Sequence, residues 1–73
     1  MAAAFTLLEY ELTLIGSDGR TYTARSCGRQ RDDDGMWEGW IEFDSDDGTT
    51  TWRTTRETTQ PNRADLVYWA TGV

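Results

Sequence analysis

From Thr6 onward apolar and polar side chains alternate: Leu8, Tyr10, Leu12 and Leu14 are separated by Glu9, Glu11 and Thr13. A period of two places successive side chains on opposite faces of a strand. The pattern continues with Tyr22 and Ala24 set among Thr21, Thr23 and Arg25, and again around Trp40 and Trp52. Between these runs stand Asp18-Gly19, Asp34-Gly35 and Asp47-Gly48. An Asp-Gly pair flanked by strand-forming residues predicts a hairpin, since Gly accepts the positive φ that tight turns require. The chain therefore reads as four strands, about 6–15, 20–30, 36–43 and 49–59, joined in sequence order as an antiparallel meander.

With a three-residue loop at each turn, Leu14 faces Tyr22, Leu12 faces Ala24, Gly28 faces Trp40, and Glu42 faces Trp52. Even-numbered residues then share one face of the whole sheet. That face holds Leu8, Tyr10, Leu12, Leu14, Tyr22, Ala24, Trp40 and Trp52 and reads as core. The odd face carries Glu, Thr and Arg and reads as solvated, with Glu11 opposite Arg25. Half-wet antiparallel sheets have this pattern.

After Pro61 the period changes. Asn62 reads as an N-cap with Asp65 reaching back to it, Leu66, Val67, Trp69 and Ala70 form a helical stripe, and Gly72 stands at the C′ position. A helix over 62–71 is too short to persist alone in water, so it must dock on the sheet, where Trp69 is expected to meet Trp40 or Trp52. The expected fold class is α+β: residues 1–73 as a single domain, a four-stranded antiparallel meander packed by one short C-terminal helix. A small, strongly curled SH3-like barrel is the runner-up.

Composition narrows the chemistry. The 73 residues include four Trp, three Tyr and two Phe, enough aromatic bulk for a core, with a net charge of −6. There is no His, and all seven basic residues are Arg. The usual general base near neutrality and the commonest metal ligand are therefore absent, as are Schiff-base and phosphate-loop lysines. Cys27 is a single cysteine and reads as a half-buried structural thiol. The acidic runs Asp32-Asp33-Asp34 and Asp44-Ser45-Asp46-Asp47 lack the spacing of a calcium loop and read as solvated hairpin tips. The start Met1–Ala4 has no basic residue and no long apolar run follows it, so neither a signal segment nor a membrane span is expected. No catalytic residues, metal site, cofactor or small-molecule substrate are indicated. The expected protein is non-enzymatic and cytoplasmic.

The runs Trp37-Glu38-Gly39-Trp40-Ile41-Glu42-Phe43, Arg56–Arg63 and Asp65–Gly72 resemble a group of small uncharacterised bacterial proteins. The resemblance covers most of the chain from Tyr22 onward. It implies a bacterial, cytosolic origin, a further apolar segment beyond the position of Val73, and no particular activity.

One feature breaks the odd face. Trp37, Ile41 and Phe43 fall on the side read as solvated, together with Arg25, Arg29 and Arg53. Exposed apolar groups of this kind mark interaction surfaces. These six residues are the candidate surface of a small interaction module that binds a protein partner or its own copy. The alternative is single-stranded nucleic acid, with bases stacked on the aromatics and phosphates paired with Arg; Glu9, Glu11 and Glu57 on the same face weigh against it. The Thr-rich stretch 54–60 also fits an edge strand able to accept a peptide by strand addition.

Overall fold

A computed structural model describes residues 3–73. Met1 and Ala2, part of the start read above for a signal segment, and the side chain of Leu12, expected to face Ala24, lie outside the described residues. Among those residues the chain forms five antiparallel strands and one helix: β1 (Phe5–Ile15), β2 (Thr21–Gln30), β3 (Trp37–Ser45), β4 (Thr51–Arg53), β5 (Thr58–Gln60) and α1 (Arg63–Thr71). The α+β meander is as expected, with more strands than the four anticipated. The sheet is open: β1 forms one edge, and β4 and β5 share the other by pairing with opposite ends of β3. The helix is nine residues long, so none among the described residues is long and apolar enough to cross a membrane.

The expected strand 49–59 divides because its middle leaves the ladder. Ile41 N–H donates to the Thr54 hydroxyl at 3.0 Å, and Glu57 N–H donates to the Gly39 carbonyl at 2.8 Å. The register against β3 therefore slips by two residues between Arg53 and Thr58, four residues standing against two as in a larger, special bulge.

Turn length decides which side chains share a face. Gly19, Gly35 and Gly48 take φ of 80°, 71° and 76°, the left-handed conformation expected of them. The first hairpin closes on Gly16 and Arg20 around the expected three residues. The second closes on Arg31 and Met36 and the third on Ser45 and Thr50, each around four. One extra residue per turn reverses the alternation across it. Ser26 thus faces Ile41, Cys27 faces Trp40 and Gly28 faces Gly39, while Phe43 faces Trp52. β3 is flipped relative to the expected register: Trp37, Gly39, Ile41 and Phe43 join Tyr22 and Ala24, and Trp40 goes to the other side.

Within β1 the ladder to β2 also shifts, by two residues between Glu9 and Thr13 and by one between Thr6 and Leu8. Arg25 therefore stands opposite Glu9 rather than Glu11, and Phe5 opposite Gly28. Phe5 meets Trp37 edge-on, centroids 6.2 Å apart, and the Arg63 guanidinium lies 5.3 Å from the Phe5 ring centre.

The Gly28–Gly39 pair leaves a bare patch in the two central strands, and α1 rests on it. Leu66 and Ala70 are fully buried there. A Cβ built on Gly28 would lie 2.6 Å from Leu66 Cδ2 and 3.3 Å from Leu7 Cδ1; one on Gly39 would lie 2.7 Å from Trp69 Cζ3 and 2.9 Å from Leu66 Cδ1. Trp69 therefore packs over Gly39; of the two partners expected for it, Trp40 lies on the far face and Trp52 stands beside Phe43. The Asn62 side chain caps α1 by accepting from Asp65 N–H at 2.8 Å. The other end is tied to the sheet by the Tyr10 hydroxyl, which donates to the Ala70 carbonyl at 2.7 Å. Gly72 ends the helix at φ −97°, ψ 0° and not in the left-handed form expected at C′.

Replacing Gly39 with Ala should destabilise the fold by about 1–3 kcal/mol in urea denaturation, because the new methyl meets an indole and a leucine that cannot both retreat. A change within a few tenths would mean that α1 does not lie on this strand.

Candidate protein-docking surface

The six residues singled out as one surface separate onto two faces. Trp37, Ile41 and Phe43 lie on the side that carries the helix, Ile41 buried and the other two partly so. Arg25, Arg29 and Arg53 lie opposite. The four-residue second turn is the cause, since it moves β3 by one position and exchanges its faces.

The face opposite the helix is a network of paired charges. Arg25 Nη2 donates to Glu42 Oε1 at 2.7 Å and its Nε to Asp44 Oδ2 at 2.8 Å. The Asp44 contact, with the hydrogen bonding it supplies, holds the Arg25 guanidinium firmly charged and keeps the Asp44 carboxyl below the usual carboxylate range. Glu42 uses its second oxygen to accept from Trp40 Nε1 at 2.7 Å. Arg53 lies over the Trp40 ring, 4.3 Å from its centre, in a cation–π arrangement, and Trp40 is only 2% exposed. Arg29 pairs with its cross-strand neighbour Glu38 at 2.5 Å. Cys27 is buried beside Trp40. Burial first, and then the Glu42 charge, push its thiol up despite Arg25 Nη1 at 3.5 Å. A thiol held protonated in this way is no nucleophile.

The open surface lies on the other side, at the far end from Gly28 and Gly39. A helix of nine residues is about 14 Å long, whereas the eleven residues of β1 span about 37 Å. Whatever its direction, α1 leaves a large part of its face uncovered. There Leu14, Ile15, Tyr22, Phe43 and Trp52 surround a depression of about 450 Å³ whose rim includes Gly16, Ser17 and Asp18 of the first turn. Trp52 is 61% exposed and Ile15 79%.

The walls are held by polar contacts. Trp52 Nε1 donates to the Tyr22 hydroxyl at 3.2 Å, and that hydroxyl donates to Asp18 Oδ2 at 2.5 Å. Asp18 Oδ1 accepts from Arg20 N–H at 3.0 Å. The Tyr22 bond, then the Arg20 N–H, keep the Asp18 carboxyl below its ordinary range, and the same bond raises the Tyr22 phenol. Arg20 itself turns away to the adjacent hairpin tip, where its guanidinium donates to the Thr49 and Thr50 hydroxyls. At that tip Asp47 accepts from the Ser45 hydroxyl at 2.7 Å, from the Thr49 hydroxyl at 2.7 Å and from Thr49 N–H at 3.1 Å.

Of the six residues first proposed, Phe43 alone lines this depression. Leu14, Tyr22 and Trp52 were read as core, which holds for Tyr22, buried at the base of the depression, and fails for Trp52; Ile15 and Asp18 had no assigned role. The signal available was length: a helix confined to about ten residues cannot roof strands of equal residue count. Compared with protein-family models, curated proteins and solved structures, the chain matches none.

The hydrogen bonds to Asp47 draw its carboxyl down to about 2, the Ser45 hydroxyl contributing most. The stability this group supplies is complete above its unfolded pKa of about 4. It is lost as pH falls through about 2. A carbon-detected NMR titration of Asp47 should show that depressed midpoint. A midpoint at the ordinary value would mean that the tip does not hold this structure.

Proposed function

We propose that the protein is a non-catalytic protein-binding module that docks a partner on the uncovered end of its helix-side face, around Leu14, Tyr22, Phe43 and Trp52, with Ile15 at the strand end beside it. The observation that carries this reading is the mismatch between a nine-residue helix and the sheet it covers, which leaves Trp52 and Ile15 facing water beside an apolar depression. Contiguous exposed apolar surface with an aromatic at its centre is the usual make-up of a binding hot spot. The rim supports the same reading, because the Trp52–Tyr22–Asp18 bonds fix the rings before anything binds and so lower the ordering cost of association.

The nucleic-acid alternative draws less support. Arg25 and Arg29 are spent on Glu42, Asp44 and Glu38, and Arg53 is stacked on Trp40. A strand of phosphates would have to displace carboxylates from a chain whose net charge is already −6.

A photo-crosslinking amino acid placed at Trp52 should capture a discrete partner in extract of the source cells, and the same group at Thr23 on the opposite face should not. Excess unlabelled protein should suppress the adduct, while excess Trp52→Ala variant should not. Equal labelling from both positions would overturn the reading, and an adduct of twice the chain mass would replace a partner protein with a second copy.

A further inference from the structure

We propose that the partner docked on this surface is a basic segment that places an arginine or lysine side chain in the depression, between the Trp52, Tyr22 and Phe43 rings and the Asp18 carboxylate. The proposal rests on the docking surface argued above and specifies what that surface selects.

Three aromatic side chains line the depression, Trp52 largely exposed, Phe43 half-buried and Tyr22 buried at its base, and the faces of such rings carry the negative end of a quadrupole that attracts cations. Leu14 and Ile15 add apolar wall suited to the methylene stem of a long basic side chain. Asp18 is the one ionisable group on the rim besides the Tyr22 phenol, and it carries a full negative charge at neutral pH. A carboxylate has about four lone-pair sites; the Tyr22 hydroxyl and Arg20 N–H occupy two, leaving capacity for an incoming donor. Arg20, whose charge reaches Asp18 and Tyr22, donates through its guanidinium to Thr49 and Thr50 and does not line the depression.

Electrostatics choose among occupants. A second copy seated here would bring Asp18 against the acidic end of another chain of charge −6, close to the tip bearing Asp46 and Asp47. Nucleic acid and anionic membrane would meet the same field. Like charges across an interface are costly, whereas a cationic segment is attracted and steered by it. A volume of about 450 Å³ in an open depression leaves room for the end of one long side chain.

The test uses two capped heptapeptides alternating leucine with arginine or with citrulline, which keeps the shape of arginine and removes its charge. Each is titrated into the isotope-labelled protein while the Trp52 indole N–H resonance is followed. The buried Trp40 indole serves as the control for an intact fold. The arginine peptide should shift Trp52 and bind at least about 5- to 30-fold more tightly than its twin. Asp18→Asn, which removes the charge and keeps one acceptor oxygen for Arg20 N–H while the Tyr22 hydroxyl loses its carboxylate acceptor, should remove most of that advantage, and so should Trp52→Leu, which keeps an apolar wall without the ring. Equal binding of both peptides at Trp52 would overturn the cation preference and leave the docking surface standing. No shift from either peptide, with a partner still captured from position 52, would also overturn the cation preference alone. No shift together with no capture would overturn both.

Discussion

Everything in this fold turns on the contact between Leu66 and the glycine pair beneath it. A helix of nine residues has no stability of its own in water, and the sheet alone would be a single layer with both faces wet. Gly28 and Gly39, opposite one another on the two central strands, let a leucine approach the backbone more closely than any side chain would allow. Burying Leu66 and Ala70 there gives the sheet its second layer. The Asn62 cap at one end and the Tyr10 tether at the other fix the helix over that seat.

The position of the seat determines what remains open. It lies toward one end of the sheet, and the helix is too short to reach the other. Leu14, Tyr22, Phe43 and Trp52 therefore form the inner face of a layer that has no roof. The opposite side of the sheet solves its exposure differently, by pairing charges across strands and covering Trp40 with Arg53. One side is chemically satisfied and the other is not. That asymmetry is what the proposed function rests on.

Much of this was legible in the sequence. The Asp-Gly turns, the period of two and the Asn62 cap locate the meander and the helix correctly. The alternation alone could not fix the length of the second and third loops, and one residue in each is enough to exchange the faces of β3. The missing information was in the cross-strand pairs. With four-residue turns Arg25 faces Glu42, Arg29 faces Glu38 and Gly28 faces Gly39; with three-residue turns Arg25 would face Phe43 and Gly28 would face Trp40. Opposite charges prefer to stand across from each other, so weighing pairs as well as periodicity selects the observed register. The bulge at Thr54, by contrast, depends on a side-chain hydroxyl replacing a ladder bond, and no local pattern announces it. It was the four-residue second turn that separated Trp37, Ile41 and Phe43 from Arg25, Arg29 and Arg53, and the open end beside Trp52 took the place of that surface.

The most direct test of the central contact is a double-mutant cycle between Gly28→Ala and Leu66→Ala, followed by urea denaturation. In the natural chain the Gly28→Ala methyl meets Leu66 Cδ2 and should cost about 1–3 kcal/mol. In the Leu66→Ala background that closest contact is gone and only Glu38 O at 3.1 Å and Leu7 Cδ1 at 3.3 Å remain, so the cost should fall by about 1 kcal/mol or more. Additive losses would show that the leucine does not rest on this glycine pair, and the assignment of covered and open ends would fall with it.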